Sequence, residues 1–263
     1  MKLQDKVVVV TGAGSGMGRE LTIELVQRGA KVAAVDIHEQ ALSETKALAG
    51  GTVATFTLDV TNRLGVAAIP AQIEAEIGAV DVLINNAGII QPFIKINELT
   101  FEQAEKVMNV NFYGPFSMIK AFLPGLLTRP QAHILNVSSM GAYAPVPGQS
   151  VYGASKAAVK LLTEGLRSEL MGTNVGVTIV FPGAVATNIT TNSGIEIPEI
   201  SADAPAFKQT AAPVAARMMA DAIEKNKARI TVGKDATMMD RISRVNPVFA
   251  ANLIYKQMKS LLG

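Results

Sequence analysis

An α/β fold, with one open parallel sheet covered by helices on both faces, is the architecture that three features of this 263-residue sequence predict. Seven short β-branched runs recur along the chain, and a stretch of helical periodicity separates most neighbouring runs. The runs are almost continuously apolar instead of alternating, as expected for strands buried on both faces. Strands that alternate with helices in this way join by right-handed crossovers into a doubly wound sheet.

The strands expected are Lys6 to Thr11 (KVVVVT), Lys31 to Asp36 (KVAAVD), Val53 to Asp59 (VATFTLD) and Val80 to Asn85 (VDVLIN). Ala132 to Val137 (AHILNV), Gly176 to Phe181 (GVTIVF) and Ala228 to Val232 (ARITV) bring the count to seven. Helical spacing appears near residues 17–28, 39–49, 62–77, 101–128 and 151–171, with shorter stretches near 213–226 and 248–262. No linker or repeat divides the chain, and 49% hydrophobic residues suit burial of about 70 to 75% of the unfolded surface around one core. One domain over residues 1–263 is therefore expected. The long non-periodic stretch near 188–212 reads as a substrate lid or, alternatively, a surface insertion. Residues 234–263 form a C-terminal extension whose apolar stripe (Phe249, Leu253, Ile254, Met258, Leu261, Leu262) has three possible fates. It could dock on its own core, pack on another subunit or touch a membrane surface.

Composition removes whole classes of chemistry. The chain has no Cys and two His, His38 and His133, which excludes thiol nucleophiles, disulfide scaffolds and cysteine-held metals. Neither His has partners at metal-ligand spacing, so no metal site is expected. The 24 Lys and Arg against 22 Asp and Glu are scattered, which argues against a nucleic-acid partner. MKLQDKVVVVTGAG is too short in its apolar run for a signal-peptide core, and no run approaches a membrane span. A cytoplasmic protein without stable membrane insertion is the expectation.

Directly after the first strand comes Gly12-Ala13-Gly14-Ser15-Gly16-Met17-Gly18, opening a helix. Glycines let the backbone approach a pyrophosphate, and the helix start offers unpaired N–H groups and partial positive charge. A plain strand-to-helix turn would look similar. The context of strand, turn, helix and an acidic residue, Asp36, closing the second strand favours a dinucleotide cradle of Rossmann type. The Asp36 carboxylate can accept hydrogen bonds from both adenosine ribose hydroxyls and would repel a 2′-phosphate, so NAD is expected over NADP. Arg19 could reach such a phosphate, but its helix register turns it towards solvent or another phosphate.

Tyr152 and Lys156 are four apart in a helical stretch, so they share one face. A phenol near pKa ~10 is a poor base at neutral pH, and an ammonium one turn away lowers that value and makes it a usable proton carrier.

The Gly12, Gly16, Gly18 spacing resembles the short-chain dehydrogenase/reductase family. The resemblance extends through Asp59-Val60, Asn85-Asn86-Ala87-Gly88, Asn111, Ser139, the Tyr152 to Lys156 segment YGASK, and Pro182-Gly183 with Thr187. It implies that Gly12, Ser15, Gly16, Met17 and Gly18 hold the pyrophosphate, that Asp59 and Val60 flank the adenine, and that Asn86, Ala87 and Gly88 line the cofactor floor. Thr187 with the Pro182-Gly183 turn would hold the carboxamide, and Tyr152 and Lys156 would touch the cofactor as well. Ser139 would orient the substrate oxygen, Tyr152 would exchange its proton, and Asn111 would hold a water linking Lys156 to solvent. The implied activity is interconversion of a secondary alcohol and a ketone with NAD. Alternatives are an NADPH-dependent 3-oxoacyl-thioester reductase, against which the long tail speaks, and a non-catalytic dinucleotide sensor. The family habit also implies a homo-oligomer, a tetramer or dimer. Ile90, Phe93, Met140, Ala142, Tyr143 and Val146 are expected around a small or apolar, uncharged substrate.

Overall fold

In the computed structural model, which describes residues 1–187, 189–195 and 209–258, seven parallel strands form one sheet. They are β1 (Val7–Thr11), β2 (Lys31–Asp36), β3 (Val53–Thr57), β4 (Val82–Asn85), β5 (Ala132–Val137), β6 (Val175–Pro182) and β9 (Arg229–Val232). Their spatial order is β3-β2-β1-β4-β5-β6-β9, so the winding reverses between β1 and β4. Ligand crevices open at that reversal, beyond the carboxyl ends of the strands.

The continuous apolar runs follow from helices on both faces. Val8 and Val10 of β1 point into one layer with Leu21 and Leu25 of α1 (Gly16–Gln27) and Met219 and Ile223 of α8 (Ala212–Glu224). Val7 and Val9 point the other way, towards Ile69 and Ile73 of α3 (Arg63–Ile77), Met118 and Phe122 of α5 (Gly114–Thr128) and Leu166 of α6 (Ser150–Glu169). Each fully buried aliphatic side chain of this kind stabilises by about 1.5–3 kcal/mol. Helix starts are set by local chemistry: Asn62 accepts from the Gly65 amide, and Thr100 and Gln103 form a capping box ahead of α4 (Phe101–Met108). The remaining crossover helix is α2 (Glu39–Ala49).

The expected fourth strand begins two residues late, at Val82, although the Asp81 amide still donates to the Val7 carbonyl and its carbonyl accepts from the His133 amide, both at 2.9 Å. The buried Asp81 carboxylate accepts from the Val7 amide at 3.1 Å and from Arg129 at 2.9 Å. The expected single helix over 101–128 is interrupted by a π-helical segment, Asn109–Tyr113, where the Gly114 amide donates to the Asn109 carbonyl. Pro115 lies just beyond it and, lacking an N–H, cannot serve the carbonyl of Asn111 four residues earlier.

Two helices and two short strands were not expected. The helix α9 (Lys234–Val245) has few apolar residues, although Asp235 in its first turn and Arg244 in its last mark its ends. Short strands β7 (Val185–Ala186) and β8 (Thr210–Ala211) pair with each other and clamp the ends of the expected lid. Just after β7 lies a four-residue helix, α7 (Ile189–Asn192), so this stretch is not wholly irregular. Position 188 and residues 196–208, the middle of that expected lid, lie outside the described residues, as do 259–263. Of the three fates for the C-terminal stripe, its described part docks on the chain's own core. Ala250 and Ile254 of α10 (Pro247–Met258) are buried against Met239 and Ala144, while Phe249 stays exposed. Among the described residues no helix is long and apolar enough to cross a membrane.

Candidate functional site

Two connected hollows lie at the carboxyl ends of the strands. The narrower, about 310 Å³, is lined by Gly12, Ser15, Gly16, Met17, Asp36, Asp59, Val60, Asn86, Ala87, Gly88 and Thr187, among others. The larger, about 910 Å³, is lined by Ser139, Tyr152, Lys156, Pro182 and Gly183, and shares Met17, Asn86, Gly88 and Thr187 with the first. Two expected site residues line neither. Gly18 is packed beneath the turn, where a Cβ would collide with the Gly12 carbonyl, and Asn111 is fully buried behind the wall.

The narrower cleft has the chemistry of a dinucleotide cradle. Gly12 has φ +68° and a Cβ there would stand 2.9 Å from the Ala87 Cα, so only glycine lets the turn close on the β4 loop. The amino terminus of α1 opens into it, where free amides and the helix dipole favour phosphate oxygens. Thr11 Oγ1 accepts from the amides of Asn86 and Ala87, both at 3.0 Å, which joins the turn to the β4 loop. The Asn86 Nδ2 donates to the Thr11 carbonyl at 3.0 Å, leaving its buried Oδ1 without a protein partner beside the cleft. That orphaned acceptor and the cradle both suit a bound dinucleotide.

At the far end of the cleft Asp36 is fixed by its backbone neighbours: Oδ2 accepts from Gly14 N at 2.9 Å and Oδ1 from His38 N at 3.1 Å. Arg19 is not turned to solvent or phosphate. Its guanidinium donates to the Gly14 carbonyl at 2.6 Å and pairs with Glu44 at 2.9 Å, because α2 brings an acidic side chain alongside α1. Asp59 accepts from the amide and hydroxyl of Thr61, each at 2.8 Å.

In the larger cavity the helix α6 presents Tyr152 and Lys156 from one face. Burial pushes the Tyr152 phenol up, opposed in part by the nearby Ser139 hydroxyl. Burial also brings the Lys156 ammonium down to about 8. The expectation that the ammonium sets the phenol's proton affinity is thus modified. Lys156 Nζ donates to the Val137 carbonyl at 3.1 Å and lies 6.0 Å from the centre of the Tyr152 ring, so desolvation dominates both groups. Ser138 and Ser139 divide their tasks. The Ser138 hydroxyl donates to the Lys156 carbonyl at 2.7 Å and anchors α6, whereas Ser139 faces the cavity.

Asn111 works through its neighbours. Its Oδ1 accepts from the Ile89 amide at 2.9 Å, and its Nδ2 donates to the Ile89 carbonyl at 2.9 Å and to Ser155 Oγ at 3.0 Å. Ser155 in turn donates to the Tyr152 carbonyl at 2.7 Å. The side chain therefore ties the β4 loop to the first turn of α6.

Residues that sequence reasoning passed over also shape the site. Gln91 caps α6 by accepting from Val151 N at 2.8 Å and Tyr152 N at 3.0 Å. Asn192 of α7 donates to Ser15 Oγ at 2.6 Å, and Ser193 accepts from Ile90 N at 3.1 Å, so the described base of the expected lid straddles the cleft. Ser155 was legible within the YGASK segment; Gln91 and Asn192 carry no local signal. Of the expected substrate-facing residues, Ile90, Phe93, Met140 and Val146 line the cavity. Ala142 and Tyr143 do not: both pack towards Phe181, and the Tyr143 hydroxyl donates to the Ala236 carbonyl at 2.9 Å. The C-terminal helices contribute Met238, Met239, Ile254 and Met258 in their place.

Comparison with known proteins agrees with this arrangement. A family model described as short chain dehydrogenase matches residues 6–197. SadH of Mycobacterium tuberculosis, a protein named as an oxidoreductase, is 35% identical over 252 residues, covering 92% of this chain and 91% of that one. Among solved structures, a short-chain dehydrogenase/reductase from Burkholderia phymatum in complex with NAD is 28% identical with a TM-score of 0.84, covering 95% and 96% of the two chains. One from Burkholderia cenocepacia in complex with NADP is 29% identical with a TM-score of 0.80, covering 97% and 99%. The chain belongs to the short-chain dehydrogenase/reductase family of oxidoreductases, whose members bind a nicotinamide dinucleotide.

Proposed function

We propose that the protein interconverts a secondary alcohol and a ketone with NAD(H), on an apolar, uncharged substrate. The observation that carries this reading is that Tyr152, half-buried and one helical turn from Lys156, lines with Ser139 a cavity continuous with the glycine-lined cleft. The dinucleotide, when bound, supplies or accepts the hydride.

The protein's own residues handle the proton and the geometry. Ser139 holds the substrate oxygen, and Tyr152 donates its phenolic proton as negative charge develops there during reduction. A phenol pushed up by burial keeps that proton at neutral pH and is ready as the acid. Oxidation needs the phenolate, which forms as pH rises. Lys156, brought down to about 8, can itself give up and regain a proton near neutrality and so resupply Tyr152. Asn111 is a positioning residue in this scheme, and its backbone carbonyl, which Pro115 cannot serve, is the acceptor available for a water in the relay.

Preference for NAD rests on Asp36, held in place by two backbone amides, and on Arg19, which Glu44 and the Gly14 carbonyl already occupy. A 2′-phosphate would meet a carboxylate with no free guanidinium beside it. Among the described residues the larger cavity has Lys156 and Asp235 as its charged lining residues, and Asp235 accepts from the Ala184 amide at 2.7 Å, which speaks for an uncharged substrate. Exposed Phe101, Tyr113, Phe116 and Leu161 on α4, the π segment, α5 and α6 fit the expected homo-oligomer. The test is a panel of secondary alcohols and ketones followed by absorbance of the reduced dinucleotide, with NAD and NADP in parallel. Turnover of uncharged substrates with NAD is expected; activity confined to thioesters with NADP overturns the reading.

A further inference from the structure

We infer that Gln149 is a specificity-determining residue, and that the substrate it selects is an apolar ketone carrying a hydroxyl beside the reacting carbonyl, or the matching diol. The inference rests on the alcohol and ketone reading above and refines its substrate class. Gln149 is 4% exposed, sits in the wall of the larger cavity and immediately precedes α6. Its Nε2 donates to the Gln91 carbonyl at 2.6 Å, which fixes the amide, since the reversed orientation would set two carbonyl oxygens against each other.

The neighbouring Gln91 side chain is engaged elsewhere. Gln91 Nε2 donates to the Gly148 carbonyl at 2.8 Å, and Gln91 Oε1 accepts from the amides of Val151 and Tyr152. Gln149 Oε1 is consequently buried without a hydrogen-bond partner. Such an atom is costly unless something donates to it. Two other buried side-chain oxygens share this condition among the described residues, Asn85 Oδ1 and Asn86 Oδ1. Asn86 lines both hollows and Asn85 neither, so of the three residues Gln149 is the one that lines the substrate cavity and not the dinucleotide cleft.

Gln149 stands three residues before Tyr152, capping the start of α6, and both residues line the same cavity. A hydroxyl on the carbon next to the carbonyl, or one further along, falls between the two groups. The hydroxyl donates to Gln149 Oε1 while the carbonyl oxygen meets Tyr152 and Ser139. Phe93, Val146, Met238, Met239 and Ile254 leave the rest of the cavity apolar and, through the flexible methionines, adaptable.

The experiment compares benzoin with deoxybenzoin, and acetoin with butanone, as matched pairs differing in that hydroxyl. Wild-type protein should favour the hydroxyketone in kcat/KM by at least about tenfold, because a site built to bond a hydroxyl rejects the analogue lacking it. In Gln149→Met that preference should collapse to near unity. A purely structural role would lower both members of a pair alike and leave their ratio unchanged, which would overturn the inference. A second measurement uses Tyr152→Phe loaded with NADH, which removes the proton carrier: calorimetry should find benzoin bound more tightly than deoxybenzoin. Equal affinities there, or a ratio near one in the wild type as a resident water would give, also overturn it. Failure to reduce any of the four ketones with either dinucleotide defeats the alcohol and ketone reading itself, whereas turnover without preference defeats the Gln149 assignment alone.

Discussion

Lowering the pH should destabilise this protein through one identifiable side chain, His133. It opens β5, is 2% exposed, and its Nε2 lies 2.8 Å from Thr178 Oγ1, which itself donates to the Lys227 carbonyl at 2.6 Å. Thr178 having spent its proton, the imidazole donates from Nε2 and keeps Nδ1 bare, packed towards the Cα of Gly176. Protonation would place a charge in the sheet interior. Burial, aided by the positive charge of Arg167, therefore lowers its pKa from 6.5 to about 3. A depressed pKa means that the unfolded chain binds the proton first, so stability is complete above pH 6.5 and is lost as pH falls towards 3. At pH 5 the unfolded state gains about 2 kcal/mol from this one group, at 1.36 kcal/mol per unit. Urea unfolding of the wild type and His133→Gln at pH 7.5 and pH 5 checks it. Glutamine can still donate to Thr178, and other titrating groups cancel between the two proteins. The wild type should lose about 2 kcal/mol more than the variant over that interval. Equal losses would refute the neutral, desolvated imidazole.

Further outcomes follow from the cleft. Asp36→Ser removes the anion facing a 2′-phosphate, and the ratio of NADP to NAD in kcat/KM should rise at least about tenfold; an unchanged ratio would show that the carboxylate does not discriminate. Gly18→Ala drives a methyl into the Gly12 carbonyl, so calorimetry should find NADH binding weakened and thermal unfolding should show a loss of about 1–3 kcal/mol. Thr11→Val keeps the shape but strands the amides of Asn86 and Ala87, and should cost about 1–3 kcal/mol for each in denaturant unfolding. For the proton carrier, the raised phenol predicts that oxidation speeds up as pH rises through the alkaline range while reduction does not; pH profiles in both directions would expose a reversed order.

Much of the fold was legible because its cause is local. Seven apolar runs gave seven parallel strands, since burial on both faces leaves no room for alternation, and the glycine turn revealed itself by backbone demands no other residue meets. What stayed hidden depends on partners distant in sequence. The burial of the Asp81 carboxylate was hidden because its partners, Arg129 and the Val7 amide, lie far away along the chain. Arg19 was assigned to solvent or phosphate because nothing nearby in sequence announces Glu44, and α9 escaped because its apolar face is short. In the site, residue types and spacing singled out Tyr152, Lys156 and Ser139, while Gln91 and Gln149 became visible only when two loops met. The π segment has only a partial local signal: Pro115 removes one helical donor beside it, yet Pro70 and Pro124 do the same inside α3 and α5 without interrupting them.

The account stands most directly on Tyr152. Steady-state rates of Tyr152→Phe with any ketone the wild type reduces, beside NADH binding by calorimetry, separate the proton carrier from the scaffold. The expected result is a rate lowered at least about a hundredfold, the scale of lost general acid catalysis, with the dissociation constant for NADH nearly unchanged. A variant that retains more than about a tenth of the wild-type rate, far above what loss of the acid allows, would contradict the central claim.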